Sequence, residues 1–147
     1  MSEVIVIERW AHLKPGVRWL ANYLPDVPPK GWTFYAEFTK GMGDGAAWYR
    51  GKNRRDPNWT TVFITGADLD GKRWLHFSIA KPSRLPTWQE LVGAKNLFLG
   101  EETLAILPFV PKSRWISIHD FCLHLWRCVD GDPIPDFARG GVPNAGP

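Results

Sequence analysis

The chain has 147 residues, of which 44% are hydrophobic and 22% are charged, a composition typical of one globular domain and unlike that of a disordered chain. The formal net charge of +3 permits nucleic-acid binding without requiring it. No apolar run approaches the ~20 residues needed to cross a bilayer, and the N-terminus lacks a signal-peptide pattern, so we expect a cytoplasmic protein with no membrane partner.

The first 59 residues predict a short helix, a strand and a long loop. A helix is expected over Pro15–Leu24, because proline suits the first helical turn and another proline follows the segment. Trp32–Thr39 has strand composition. Lys40–Trp59 holds four glycines and is interpreted as a poorly ordered loop, with a strand fragment at 46–49. The strand alternation places four residues on one face: Trp32, Phe34, Ala36 and Phe38.

A hairpin is predicted in the middle of the chain. Trp59–Thr65 and Trp74–Ala80 both have strand composition, and Asp70 with Gly71 supplies the positive-φ residues of a tight turn between them. The connector at 81–86 contains two prolines, each of which fixes its own φ and biases the preceding residue away from helix. We therefore expect an extended connector after the second strand.

The next segment carries agreeing signals for an α-helix over Trp88–Leu99. Thr87 and Glu90 have the spacing of a capping box, in which each side chain accepts a hydrogen bond from the backbone N–H of the other residue. Apolar residues recur at helical spacing behind this start. Gly100 can adopt the left-handed conformation that ends a helix.

The C-terminal third is less uniform. Leu104–Phe109 is a short apolar segment that predicts a strand. Trp115–Val129 fits both a strand–turn–strand and the stripe of a helix, and we favour the strands. Residues 138–147 have the composition of a disordered tail, so residues 1–137 are expected to form a single globular domain.

These elements predict an α+β fold. An antiparallel sheet carries one main capped helix, residues 87–99, on one face, and a short helix precedes the sheet. The predicted core residues are Val62, Ile64, Leu75, Phe77, Ile79, Trp88, Leu91, Phe98, Leu99, Ile106, Leu123 and Leu125.

Four residues near the C-terminus are of metal-ligating types: His119, Cys122, His124 and Cys128. The two cysteines are too far apart for the tight pairs of zinc sites, and on a strand His119 points away from the other three. We therefore predict structural roles for all four, two free thiols, and no bound metal or other cofactor.

Two catalytic arrangements are conceivable, and neither is complete. Cys122 and His124 share a strand face, but residues two apart on a strand do not normally reach hydrogen-bonding distance. His76 and Ser78 share a face near the acidic turn at 68–70, without the nucleophile elbow that a catalytic serine of that type requires. The chain is therefore expected not to be an enzyme.

The strongest binding signal is a basic and aromatic cluster in the predicted loop. Basic side chains neutralise phosphates, and aromatic rings stack on unpaired bases. A solvated basic loop explains the same residues without a ligand. The candidate binding residues of this cluster are Trp48, Tyr49, Arg50, Lys52, Arg54, Arg55 and Trp59.

Three glycines just before this cluster, Gly41, Gly43 and Gly45, are candidates for an anion nest. No helix follows them as a phosphate loop requires.

A family resemblance is carried by WLHFSIAKPSRLPTWQEL, then FLG at 98–100, and LHLW at 123–126 followed by DGDPIPDF. The pattern, over about residues 59–139, resembles a family of small uncharacterised proteins encoded largely by bacteriophages of actinobacteria and related prophages. The family brings no established activity or site residues. The resemblance implies a phage-encoded accessory protein made in the cytoplasm of the bacterial host, and such proteins often bind host machinery, some with toxic effect.

Two main hypotheses follow. The first is a non-enzymatic phage protein that acts by binding a host protein. The alternative is a nucleic-acid-binding module that uses the basic and aromatic residues of the loop at 48–59. A small enzyme with a new kind of site is the third.

Overall fold

The computed structural model describes residue 10 and residues 13–40, 43–69, 71–101 and 121–129, which form an α+β fold. The predicted class is confirmed, with more of the chain in the sheet than expected. No helix within these ranges is long and apolar enough to cross a membrane. The elements are, in chain order, a 3₁₀ helix Pro15–Tyr23, β1 Thr33–Lys40, β2 Gly43–Arg50, β3 Thr60–Leu69, β4 Lys72–Lys81, α1 Trp88–Leu99 and β5 Phe121–Cys128.

The five strands of the described ranges form one antiparallel sheet in the order β1-β2-β3-β4-β5. Each strand pairs with its neighbour in sequence, which is the arrangement that short connections favour. The predicted hairpin is confirmed, since Val62 of β3 pairs with Ile79 of β4 and Asp68 pairs with Arg73 near the turn. The chain leaves the sheet after β4, forms α1, and returns as β5 beside β4.

One face of the sheet, the helix face, carries the hydrophobic core. Phe98 of α1 packs here, with its ring centroid 5.2 Å from that of Trp32 and 5.2 Å from that of Trp48. The 3₁₀ helix packs over β3. Its Leu20 lies so close to Gly66 of β3 that a side-chain carbon placed on Gly66 would be 3.2 Å from it. Fully buried residues of the helix face are Trp48, Val62, Ile64, Leu75, Phe77 and Ile79.

A β-bulge in β1 changes which side chains share a face. The pairing register shifts between Phe34 and Ala36, which leaves Tyr35 as the extra residue. Phe34 therefore contacts Trp48 in the core, whereas Phe38 meets an aromatic ring of β3 on the second face of the sheet. The prediction that Phe34 and Phe38 lie on one face is wrong, because strict alternation takes no account of a bulge.

The strand fragment predicted at 46–49 is confirmed as part of β2. The rest of the first half of Lys40–Trp59 was wrongly interpreted as a loop, because β2 extends over Gly43–Arg50 and pairs with both β1 and β3. The small residues of β2 have a packing explanation. A side-chain carbon at Gly45 would lie 2.7 Å from the ring of Phe38 and would clash with the backbone of Ile64. Glycine within a strand often marks such a close approach and is no sign of a loop.

The remaining predictions concern the N-terminal helix, the C-terminal third and the core residues. The predicted N-terminal helix is present as a 3₁₀ helix, and β5 confirms a strand in the second half of 115–129. The first half of that stretch and the predicted strand at 104–109 lie outside the described residues, and the domain limits stay a prediction. Most predicted core residues are buried, while Trp88, Leu99 and Leu123 are partly buried against the core, and Ile106 lies outside the described residues.

α1 begins at the predicted cap and ends at the predicted glycine. The Thr87 hydroxyl accepts a hydrogen bond from the Glu90 N–H at 3.1 Å, and the Glu90 carboxylate accepts one from the Thr87 N–H at 2.8 Å. Both N–H groups would otherwise lack partners at a helix start. At the other end, the buried Lys95 ammonium donates to the carbonyls of Gly100 and Glu101, at 3.1 and 2.9 Å.

Replacing the cap should destabilise the fold measurably. Thr87→Ala is expected to lower the free energy of unfolding by about 1 kcal/mol, because the Glu90 N–H loses its acceptor. Urea denaturation measures the change. Thr87→Ser is the matched control and should keep most of the stability, and an equal loss in both variants would show that the hydroxyl is not responsible.

Candidate nucleic-acid interface

The connection between β2 and β3, residues 51–59, is a compact loop held by its own hydrogen bonds. The Asp56 carboxylate accepts hydrogen bonds from the backbone N–H groups of Lys52 and Asn58, each at 2.9 Å, and these bonds lower the pKa of Asp56. The backbone N–H of Trp59 donates a hydrogen bond to the backbone carbonyl of Asp56 at 2.9 Å. Asp56 thus fixes the loop in the way that Asx turns do.

This loop places three cations at the surface. Lys52, Arg54 and Arg55 are all exposed. The Arg54 guanidinium lies over the ring of Trp59, 5.7 Å from its centroid, which is a cation–π contact. Gly51 permits the tight turn, since its φ is +125° and a side-chain carbon there would lie 2.9 Å from the Cα of Trp59.

Other elements bring further cations to the same end of the sheet. Arg50 ends β2 and Lys81 ends β4, and the antiparallel register puts both beside the start of β3. Arg84 follows in the connector to α1. The Arg50 guanidinium lies 4.8 Å from the ring centroid of Trp32 and so belongs to the helix face. Sequence reasoning missed Lys81 and Arg84 because they are distant in the chain from the loop at 51–59, which we call the basic loop.

Lys81 is the buried member of this group, and its role is structural. Its ammonium donates to the Thr60 hydroxyl at 2.7 Å and lies 3.5 Å from the Glu90 carboxylate. Burial lowers the pKa of Lys81, and Glu90 opposes that shift. Arg84 donates two hydrogen bonds to Glu90, at 2.8 and 2.9 Å, which bring the pKa of Glu90 to about 2. The network ties the end of β4 to the start of α1.

The second face of the sheet carries a group of aromatic rings beside the basic loop. Tyr49 stacks on Trp59 with centroids 4.7 Å apart and 16° between the planes, and Tyr35 meets Tyr49 edge-on at 5.9 Å. Tyr35 is 61% exposed, whereas Trp59 is 8% exposed. Farther along β1, Phe38 meets Phe63 at 6.0 Å. We call Tyr35, Phe38, Tyr49 and Phe63 the aromatic face.

The predicted site residues do not all lie together. Trp48 is 0% exposed and belongs to the core, because neighbouring residues of a strand point to opposite faces and Tyr49 faces the other way. Tyr49 and Trp59 meet on the second face, while Arg50 lies on the helix face. Tyr35 was not among the predicted residues, and the bulge that puts it beside Tyr49 has no simple sequence signal.

β4 and β5 bring together two histidines that the sequence placed in separate candidate sites. His76 Nε2 and His124 Nδ1 are 2.7 Å apart, and the rings are stacked with centroids separated by 4.9 Å. Both side chains are buried. Burial lowers the pKa of His76 well below its usual value and brings that of His124 to about 3. Both imidazoles are therefore neutral at pH 7, and one donates a hydrogen bond to the other.

The surroundings of the histidine pair resemble none of the catalytic or metal arrangements that the sequence analysis considered. Ser78 pairs with His124 across the strands. Residues 68–69, from the acidic segment that was considered together with His76 and Ser78, lie at the far end of β3. Cys122 and Cys128 are buried, form no disulfide, and lie at opposite ends of β5. Within the described ranges, which exclude His119, no three metal-ligating side chains form a group that could hold a metal ion. Of the glycines proposed as an anion nest, Gly43 and Gly45 are strand residues and Gly41 lies outside those ranges.

The fold and this surface define a small antiparallel α+β domain with cations and aromatic rings at one end of its sheet. Residues 67–130, less than half of the chain, match the model of a family described as a domain of unknown function (DUF7694). The match lies within the region of the resemblance noted in the sequence. It contains β4, α1 and β5, with the histidine pair and Lys81, and leaves the basic loop outside. No curated protein and no solved structure matches the chain.

Proposed function

We propose that this protein is a non-enzymatic nucleic-acid-binding protein whose phosphate contacts come from the loop at 51–59. The observation that carries the proposal is the compact loop that holds Lys52, Arg54 and Arg55 at the surface beside the aromatic face. Cations fixed in this way neutralise backbone phosphates and release counterions, which is the main source of affinity in non-specific nucleic-acid binding.

The burial of the tryptophans supports this choice over a protein interface centred on the same segment. Binding hot spots between proteins are enriched in tryptophan, tyrosine and arginine, and the anchors insert into pockets of the partner. Trp48 is 0% exposed and Trp59 is 8% exposed, so neither side chain is available for such insertion. The exposed groups that remain in this segment are mainly cations, which favours an anionic ligand.

Salt dependence tests the proposal directly. The affinity for a nucleic-acid oligonucleotide, measured by fluorescence anisotropy, should fall steeply with salt, with a slope of about −0.7 to −0.9 for each phosphate contact. The double variant Arg54→Glu/Arg55→Glu should flatten the slope by roughly two contacts. Both residues are exposed, so the urea midpoint of the variant should stay close to that of the wild type.

The matched control reverses charges elsewhere on the surface. Lys30→Glu/Lys72→Glu changes the net charge equally at exposed positions outside the basic loop, so it should leave most of the salt slope intact. Equal losses in both double variants would mean that net charge, and not this loop, governs binding. Absence of binding at low salt would overturn the proposal.

A second candidate function is binding of another protein, with the chain acting as a phage-encoded accessory protein in the cytoplasm of a bacterial host and toxicity as one consequence. One observation favours it: within the described ranges, β1 is an edge strand that pairs only with β2. A partner strand can add to such an edge through backbone hydrogen bonds.

Nuclease treatment separates the two candidate functions. A partner protein that stays bound to the tagged chain in nuclease-treated host lysate, and that forms a complex when purified, would favour protein binding. Loss of all captured proteins after nuclease treatment would favour the nucleic-acid proposal, because the proteins would then have been held through nucleic acid.

A further inference from the structure

We infer that the aromatic face stacks on unpaired bases, so that the preferred ligand is single-stranded nucleic acid and not a duplex. The inference rests on the proposed function and specifies its ligand. Tyr35, which lies outside the basic loop and outside the predicted site, is the residue assigned to the first stacking contact. Its ring is 61% exposed, whereas most other aromatic rings of the described chain are buried or half-buried.

The position of Tyr35 follows from the bulge in β1. The extra residue puts the Tyr35 ring against Tyr49, with the centroids 5.9 Å apart and the planes at 87°. Bulges commonly re-aim a side chain next to a functional site. The contact with Tyr49 is edge-on, and the exposure of Tyr35 shows that much of its ring surface is open to solvent.

A continuous series of contacts leads from this exposed ring to the exposed cations. Tyr35 contacts Tyr49, Tyr49 stacks on Trp59 at 4.7 Å, and the Arg54 guanidinium lies over Trp59 at 5.7 Å. Arg55 is the next residue of the same loop. A strand whose base stacks on Tyr35 therefore passes cations that can neutralise its phosphates, which is the combination found in single-strand binding sites.

A second pair of rings extends the aromatic face along β1. Phe38 lies three residues beyond Tyr35, about 10 Å farther at the rise of an extended strand. Its ring lies close to Gly45 and meets the ring of Phe63. Phe38 and Phe63 are half-buried and so leave part of their rings open. In a duplex the bases are stacked on one another and their faces are closed to protein rings. A duplex would reach the cations of the loop but not use the aromatic face.

The test compares a single strand with a duplex of the same length on the full-length protein. The probes are a fluorescein-labelled oligodeoxythymidine and a labelled duplex of mixed sequence, at physiological salt. Tyr35→Ala should weaken binding of the single strand roughly 5- to 150-fold, the range expected for loss of one base–aromatic stack. Its affinity for the duplex and its salt slope should stay unchanged, because no phosphate contact is removed.

Control variants separate stacking from folding. Tyr35→Phe keeps the ring and should bind the single strand like the wild type. Val27→Ala alters an exposed side chain that is not part of the aromatic face or the loop at 51–59, and it should change nothing. The urea midpoint of each variant establishes that it is folded. Equal wild-type affinity for the single strand and the duplex, or a Tyr35→Ala variant that binds the single strand normally, would overturn the inference.

The two proposals fail in different ways. If the charge reversal at Arg54 and Arg55 flattens the salt slope but Tyr35→Ala has no effect, the nucleic-acid proposal stands and the stacking inference is wrong. If neither probe binds at low salt, both are wrong. A Tyr35→Ala variant that loses single-strand and duplex binding equally would show that Tyr35 supports the loop and contacts no base.

Discussion

Trp48→Ala is expected to lower the free energy of unfolding by about 3–5 kcal/mol, because it empties the space of a fully buried indole. The ring is 0% exposed and contacts Phe34 and Phe98, with centroid distances of 6.1 and 5.2 Å. These two partners come from β1 and α1, so Trp48 joins the sheet to the helix layer. Urea denaturation at pH 7 measures the loss.

Trp48→Phe is the matched variant for this prediction. It keeps an aromatic ring in the core and removes an indole N–H that is buried with no acceptor among the described residues. Its cost should be smaller than that of Trp48→Ala, because the cavity that it leaves is smaller. A Trp48→Ala variant with the wild-type urea midpoint would show that this side chain does not lie in the core, and would restore it as a candidate for ligand contact.

Lowering the pH from 7 to 5 is expected to reduce the free energy of unfolding by about 3–4 kcal/mol through His76 and His124 alone. Both are buried and share a hydrogen bond of 2.7 Å between their ring nitrogens. Burial places the pKa of His124 at about 3 and that of His76 well below its usual value. In the unfolded chain each imidazole regains a pKa near 6.5, as in model peptides.

The direction of the effect follows from proton uptake on unfolding. Between the folded and unfolded pKa values, the unfolded chain binds up to two protons that the folded chain does not bind. The stability is therefore fully present above about pH 7 and is lost as the pH falls through 6.5 towards 3, by up to ~2.7 kcal/mol per pH unit. Protonation of the folded pair is opposed further by repulsion between two adjacent positive rings.

Urea denaturation at several pH values tests this prediction, and a single substitution isolates the pair. His124→Gln keeps a polar partner for His76 but cannot bind a proton, so the slope of stability with pH should fall by about one proton, or ~1.4 kcal/mol per unit. Comparing the pH slope of this variant with that of the wild type cancels the contribution of the other two histidines of the chain. In the wild type, the NMR signals of both imidazoles should not titrate between pH 7 and 5, and a normal titration would contradict the prediction.

Local signals in the sequence were sufficient for α1 and for the hairpin of β3 and β4. The capping box needs only Thr87 and Glu90, three residues apart, and the structure forms both of its hydrogen bonds. The α+β class follows from such short-range patterns too, because strand and helix periodicities are properties of consecutive residues. The basic residues of the loop at 51–59 were likewise evident as a cluster in the sequence.

The features that the sequence left undecided depend on residues that are far apart in the chain. The glycines of β2 suggested a loop, and only the Phe38 ring and the Ile64 backbone, which come from the flanking strands, explain why Gly45 has no side chain. The bulge in β1 moved Phe38 to the second face and Tyr35 beside Tyr49. A bulge is a property of the pairing of two strands and not of either strand alone.

The composition of the candidate sites was decided in the same way. The sequence placed Trp48 and Trp59 in one candidate binding site, and the pleat of β2 separated them by sending Trp48 into the core. It assigned His76 and His124 to different sites, and the register of β4 with β5 joined them across 48 residues of chain. Which side chains a surface exposes or a core holds is set by long-range register and burial, and these exist only once the sheet has formed.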